Sequence, residues 1–253
     1  MSGRLDGKVA IVTGATEGIG HAIAHAFARE GARLVVVARR PGPGEALAAE
    51  LGGDAVFVAG DVAEPETADR AVAAALDRFG RLDVLVNNAG IDLSGVPLLE
   101  TTPQQARDVF AVNALGSLWF LLAAGRAMAG GGGGSIVNIT SRLGHVGLPG
   151  SVVYGATKGA LHALTRGAAV EWARTGVRVN EIAPGLTETP MIKVWIEEQA
   201  DPAAFREARQ DSIPIGRFAT PDEVAAAAIY FASDESASVT GACLSIDGGY
   251  TAA

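Results

Sequence analysis

Tyr154 and Lys158 stand four residues apart, so on a helix they share a face, and Ser141 lies thirteen residues upstream at the end of a short apolar run. A phenol titrates near about 10 and alone is a poor proton carrier at neutrality. An ammonium one turn away favours the tyrosinate and lets the phenol exchange protons near neutrality. Upstream of all three, Thr13-Gly-Ala-Thr-Glu-Gly-Ile-Gly20 follows an apolar run and opens an amphipathic one. There Gly14, Gly18 and Gly20, with Thr16 and Ile19 among them, let the backbone approach a pyrophosphate whose charge faces a helix N-terminus. A proton-transfer set and a dinucleotide loop in one chain predict hydride transfer, with the cofactor carrying hydride and Tyr154 the proton.

Elements of the right kind are present to hold these groups. Short apolar, β-branched runs at residues 9–13, 34–38, 55–59, 84–87, 136–140, 177–182 and 244–246 alternate with longer Ala-rich segments. Runs without polar alternation suit strands covered on both faces. The expectation is an α/β fold, a Rossmann-like doubly wound parallel sheet of about seven strands with helices on both faces. Thr102-Pro-Gln-Gln105 and Thr220-Pro-Asp-Glu223 each offer a threonine cap, a proline at the first helical position and an acceptor three residues on, so helices should start there. The glycine run at 130–134 reads as a connection into the fifth strand.

Composition narrows the function classes. With 49% apolar and 19% charged residues, the 253-residue chain can bury a large core, and one domain over residues 1–253 is the simplest reading. A net charge of −8 argues against nucleic acid and anionic membrane as partners. The lone cysteine, Cys243, allows no intramolecular disulfide and fits a reduced, cytoplasmic compartment. The opening Met-Ser-Gly-Arg-Leu-Asp-Gly-Lys has no apolar signal core. His21, His25, His145 and His162 lack clustered acids or cysteines along the chain, so no metal site is expected, and of the four only His145 is placed to touch substrate. Glu181, in an otherwise apolar strand, needs a partner that the sequence does not name.

The glycine loop, Ser141, Tyr154 and Lys158 resemble the short-chain dehydrogenase/reductase family in its classical branch, over residues 8–249. The resemblance implies that Lys158 also holds the nicotinamide ribose. It makes Asn113, in Val-Asn-Ala, a fourth catalytic position that carries a water between the lysine and solvent. It further assigns Asp61 and Val62 to the adenine ring, Asn88, Ala89 and Gly90 to the ribose side, and Pro184, Gly185 and Thr189 to the nicotinamide carboxamide, with Thr187 a substitute. A homotetramer is implied as well, with the helices around 102–128 and 152–173 in one interface; a monomer whose small residues pack on its own sheet is the alternative.

At the end of the second strand, Ala38 stands where an NAD site offers a carboxylate, and Arg39 follows with a guanidinium suited to a 2′-phosphate. NADP(H) is therefore expected, with NAD(H) left open because Glu17 occupies a loop position where NADP-preferring relatives carry a basic residue. The substrate is expected to be a small secondary alcohol or ketone, with an NAD-dependent polyol or sugar dehydrogenase as the rival and a non-catalytic nucleotide-binding regulator as the rival from another class. Residues 186–214 break the α/β rhythm and are expected to form a lid, its face made by Met191, Ile192, Trp195 and Ile196. Substrate choice is expected to rest on this segment with residues 92–96 and 142–147.

Overall fold

A computed structural model describes residues 3–52 and 54–253; Met1 and Ser2 of the opening stretch, and Gly53, lie outside the described residues. Seven strands form one parallel sheet in the order β3-β2-β1-β4-β5-β6-β7. They are β1 (Val9–Thr13), β2 (Arg33–Ala38), β3 (Val56–Ala59), β4 (Val84–Asn87), β5 (Gly134–Ile139), β6 (Val177–Pro184) and β7 (Cys243–Ile246). The helices are α1 (Gly18–Arg29), α2 (Pro41–Leu51), α3 (Pro65–Phe79), α4 (Pro103–Phe110), α5 (Ser117–Gly131), α6 (Val152–Trp172), α7 (Pro190–Glu197), α8 (Pro202–Asp211) and α9 (Pro221–Ala232).

The apolar strands divide their side chains between two cores. In β1, Ala10 and Val12 pack with Ile23 and Phe27 of α1 and Ala228 of α9, whereas Val9 and Ile11 pack with Ala71 of α3 and Phe120 and Ala124 of α5. This two-sided burial is why the strands read as continuous apolar runs. Both proline-marked caps form full capping boxes, at Thr102 with Gln105 and at Thr220 with Glu223. The stretch Pro103–Gly131, long and apolar enough to cross a membrane, packs instead against the sheet, α3 and α6, with a π-helical turn at Ala111–Gly116.

Strand boundaries shift by a residue or two. β5 starts at Gly134 and not at 136, because Gly134 and Ser135 already pair in register with Val177 and Arg178 of β6. β6 continues to Pro184 because β7 pairs with it through Ile246. A polar chain runs through the apolar interior from β4 through β5 to α6. The Asn87 amide donates to Asn138 Oδ1 at 2.9 Å and to the Ser117 carbonyl at 3.1 Å, and the Asn138 amide donates to Thr165 Oγ1 of α6 at 2.8 Å.

The segment after β6 is helical. Thr189 and Asp201 cap α7 and α8, their side chains accepting from the amides of Ile192 and Ala204. Ile196, Ile213 and Phe218 make a third, small core, against which Leu186, Ile192, Trp195 and Phe205 pack, the last two edge to face with centroids 4.8 Å apart. Met191 does not join the expected face. It sits in the first turn of α7 at the mouth of the cleft and stays 45% exposed, while Ile192, Trp195 and Ile196 turn to the small core.

Candidate active site

β1 and β4 are neighbours at the centre of the sheet, the point where the chain switches from building one edge to building the other. Loops leaving the strand ends there diverge and open a crevice. A cleft of about 510 Å³ occupies that position, lined by the glycine loop, the ends of β2 and β4, α6 and the start of α7.

The glycine loop is built for close approach. Gly14 has φ +63°, and a Cβ there would lie 2.8 Å from the Cα of Ala89. Gly20 does not line the cleft; a Cβ on it would meet the Gly14 carbonyl oxygen at 2.3 Å and the Asn88 amide at 2.4 Å, so its role is to let α1 start beneath the loop. Thr13, unremarked in the sequence reading except as the end of a strand, ties the loop to the segment after β4. Its Oγ1 accepts from the amides of Asn88 and Ala89, both at 3.0 Å, while the Asn88 side chain donates to the carbonyls of Thr13 and Gly14.

Gly14, Thr16, Gly18, Ile19, Asp61, Val62, Asn88, Ala89, Gly90, Pro184, Gly185 and Thr189 all reach the cleft, as does Arg39. Thr189 lies over the loop, 3.2 Å from where a Cβ on Gly18 would be. Thr187 also reaches the cleft, though its hydroxyl donates to the Gly185 carbonyl at 3.1 Å. At the end of the cleft beside β2, Glu17 forms an ion pair with Arg40, and Arg39 has no ion-pair partner among the described residues.

Ser141, Tyr154 and Lys158 converge on the other end of the cleft. Ser141 lies two residues beyond β5 and caps the following 3₁₀ turn, accepting from the Leu143 amide at 3.1 Å. Lys158 is 4% exposed and donates to the Ile139 carbonyl at 2.9 Å. Burial lowers its pKa to about 8. The Tyr154 phenol is instead held above its ordinary value, by burial first and by the Asp92 charge second, with a hydrogen bond to Ser141 pulling the other way. Lys158 Nζ is 5.8 Å from the centre of the Tyr154 ring.

Asn113 lies behind this set and does not line the cleft. Its Oδ1 accepts from the Ile91 amide at 2.8 Å, and its Nδ2 donates to the Ile91 carbonyl and Thr157 Oγ1. Gly90 leaves room between the two groups: a Cβ there would sit 3.3 Å from Asn113 Oδ1 and 3.6 Å from Lys158 Nζ.

Two expectations for the 142–147 segment need correction. Arg142 is buried, with its guanidinium 3.6 Å over the Tyr250 ring, and does not face the cleft. His145 turns away from the cleft toward Glu181, at 3.4 Å, and His162 Nδ1 lies 2.6 Å from the same carboxylate oxygen. The partner of Glu181 is thus a pair of histidines that the topology of α6 and β6 brings together from distant positions, which also corrects the reading that no histidine has acidic company. Cleft residues missed from the sequence include Ile91, Val112 and Thr140, whose signals are those of ordinary core and strand-end positions.

A family profile described as Enoyl-(Acyl carrier protein) reductase matches residues 14–251. The chain is 44% identical to a D-threitol dehydrogenase of Mycolicibacterium smegmatis, over 98% of this chain and 94% of that protein. It is also 44% identical to a galactitol 2-dehydrogenase (L-tagatose-forming) of Cereibacter sphaeroides, over 98% and 96%. A sorbitol dehydrogenase of the same organism is 38% identical over 97% and 98%. Among solved structures, a candidate short-chain alcohol dehydrogenase from Sinorhizobium meliloti 1021 superposes with a TM-score of 0.92 at 37% identity, covering 98% of both chains.

Proposed function

The chain belongs to the short-chain dehydrogenase/reductase family, and on that premise we propose that it interconverts a small secondary alcohol and its ketone with NADP(H), using Tyr154 as general acid and base. The family membership itself makes it an oxidoreductase acting on alcohols with a nicotinamide cofactor.

The observation that carries the proposal is the convergence of Ser141, Tyr154 and Lys158 at the end of a cleft whose other end is the glycine loop. The cleft fits a dinucleotide, since Gly14 and Gly18 line it with bare backbone and Gly20 lets α1 start directly beneath the loop. The bound nicotinamide supplies or accepts the hydride. Ser141 Oγ holds the substrate oxygen, and Tyr154 gives it a proton in the reductive direction and takes one back in the oxidative direction. Lys158 supplies positive charge beside the phenol, and Asn113 fixes the backbone around Ile91 that borders it.

Preference for the phosphorylated cofactor is supported by Ala38, which offers no carboxylate, by Arg39 at the cleft, and by Arg40, which neutralises Glu17. A second reading, an NAD-dependent polyol dehydrogenase, is favoured by the names of three relatives, which act on threitol, galactitol and sorbitol. α7 and α8 are proposed to serve as a lid, with Met191 and Ile192 at its inner edge. A homotetramer in the cytoplasm completes the proposal, supported by Leu99, Phe110 and Leu115 exposed before and along the 103–131 helical stretch and by Val152 and Val170 exposed on α6. The deciding experiment is a sweep of secondary alcohols, polyols and ketones with each cofactor, followed by nicotinamide absorbance. Turnover with NADP(H) at least tenfold more efficient than with NAD(H) is expected; the reverse ranking with polyols establishes the second reading, and no turnover with any pair rejects both.

A further inference from the structure

Behind the active-site helix, His145, His162 and Glu181 bring ligand-type atoms within 4.8 Å of one another, and Cys243 borders this trio at His145. His145 ends the turn that begins at Ser141, His162 lies one helical turn beyond Lys158, Glu181 is in β6, and Cys243 is its Cα partner across the sheet in β7. Glu181 is 1% exposed. Its Oε1 lies 2.6 Å from His162 Nδ1 and 3.4 Å from His145 Nε2, and Cys243 Sγ lies 3.5 Å from His145 Nε2. Its other oxygen, Oε2, is buried with no hydrogen-bond partner. The Cys243 thiol also faces Glu181, but an ion pair with His162 alone does not account for the unpartnered oxygen or for the second imidazole.

We propose that His145, His162, Glu181 and Cys243 form a binding site for a thiophilic divalent transition-metal ion of the zinc class. Zinc binds nitrogen and oxygen at about 2.0–2.2 Å and sulfur at about 2.3 Å in a tetrahedron, which puts neighbouring ligand atoms about 3.3–3.6 Å apart. The His145–Glu181 and His145–Cys243 separations of 3.4 and 3.5 Å match, and the Cys243 side chain, outside the trio's mutual 4.8 Å, swings toward Glu181 and His162 to complete the tetrahedron. The His162–Glu181 contact is a direct hydrogen bond, and it opens as the metal takes the place of the proton on Nδ1. The thiol gives up its proton to solvent as the thiolate coordinates. Two imidazoles, a carboxylate and a thiol disfavour magnesium and calcium, which take oxygen ligands. Occupation ties the turn after Ser141, the helix of Lys158, and strands β6 and β7 to one centre, so the ion rigidifies the substrate end of the cleft without touching it. The trio of His21, His25 and Glu50 offers three groups, one of them an exposed carboxylate, and serves as the comparison.

The test uses untagged, chelator-treated protein titrated with Co²⁺ and then Zn²⁺. One cobalt per chain is expected, with thiolate-to-metal charge-transfer absorption and the intense visible bands of four-coordinate cobalt, both erased by zinc, which also raises the melting temperature. Cys243→Ser should abolish the charge-transfer band, and His145→Gln should weaken binding by at least the roughly 10–100-fold that loss of an outer-shell partner costs. His25→Gln should change nothing. Both His145 and Cys243 are near the surface, and circular dichroism checks that each variant is folded; if His145→Gln is not, Cys243→Ser decides alone. Absence of a thiolate band, or wild-type spectra in the Cys243→Ser variant, overturns the proposal, as does loss of the signal in His25→Gln.

Discussion

Lys158 Nζ donates to the backbone carbonyl of Ile139 at 2.9 Å, so the active-site ammonium is anchored to the strand that presents Ser141 and not to the tyrosine one turn away. Strand end and helix face are thereby set against each other before any ligand arrives.

That anchoring has a cost that Lys158→Met should reveal. At about 1.4 kcal/mol per pH unit, an ammonium whose pKa falls from 10.5 to about 8 on folding is disfavoured by roughly 3 kcal/mol, and losing the hydrogen bond to Ile139 returns about 1. Activity is expected to vanish while the melting temperature at pH 7 rises by roughly 4–8 °C. The sign follows from linkage. Below about pH 8 both folded and unfolded states hold the proton; between about 8 and 10.5 only the unfolded state does, so this group makes wild-type stability climb with pH there. Denaturant midpoints from pH 7 to 10.5 check it, and the variant should lack the climb.

Tyr154→Phe removes only the transferable proton, because the ring still fills its place. Turnover should fall by about 10²–10⁴-fold with cofactor affinity nearly intact, measured by steady-state rates and by quenching of protein fluorescence on cofactor addition. A loss below about tenfold would sink the assignment.

Arg39→Ala should raise the Michaelis constant for NADPH and leave that for NADH nearly unchanged, since a charge-assisted phosphate contact contributes roughly 1.5–3 kcal/mol. Adding Ala38→Asp should then favour NADH. Releasing Arg40 with Glu17→Gln should strengthen NADPH binding further, because Arg40 would lose its competing carboxylate.

Gly20→Ala should abolish cofactor binding, although Gly20 is outside the cleft. Its new Cβ would collide with the Gly14 carbonyl and the Asn88 amide, both parts of the loop's own scaffold. Calorimetric titration with NADP⁺ beside a melting curve separates loss of binding from loss of fold.

Hydrogen exchange in α7 and α8 should slow when NADP(H) and a substrate analogue bind together. Their apolar residues Ile192, Trp195, Ile196 and Phe205 pack with Ile213 and Phe218 in the small core and not on the main sheet. Equal protection in every state would make this pair of helices a fixed wall and Trp195 plain core.

Much of this architecture was legible in the sequence for identifiable reasons. Two-sided burial leaves unbroken apolar strands, capping boxes leave Thr-Pro pairs, and a dinucleotide loop leaves glycines at fixed spacing. Glycine spacing, the Tyr-Lys turn and the family resemblance pointed to Gly14, Gly18, Ser141, Tyr154 and Lys158, all of which line the cleft. What stayed hidden depends on contacts between residues far apart in the chain. Glu181 meets His162 and His145 only because β5, β6 and α6 pack side by side, and no local pattern encodes that. Arg142 likewise sits where a substrate contact was expected, yet the Tyr250 ring, more than a hundred residues away in sequence, draws it inward. The anchor of Lys158 was hidden for a related reason: spacing reports that its ammonium lies near Tyr154, but not that it donates to the Ile139 carbonyl.

The buried chain from Asn87 through Asn138 to Thr165 works as an indexing pin for α6. An apolar helix on an apolar sheet can creep along its axis at small energetic cost, and a creep of one residue is about 1.5 Å, enough to carry the Tyr154 hydroxyl out of line with Ser141. Hydrogen bonds accept no such creep. Isosteric apolar residues at all three positions could leave the protein melting where it does now, since exchanging a whole buried polar set for packed hydrocarbon is often neutral. The resulting enzyme would be sturdy and out of tune, because thermal ruggedness and alignment of the reacting groups are written in different residues.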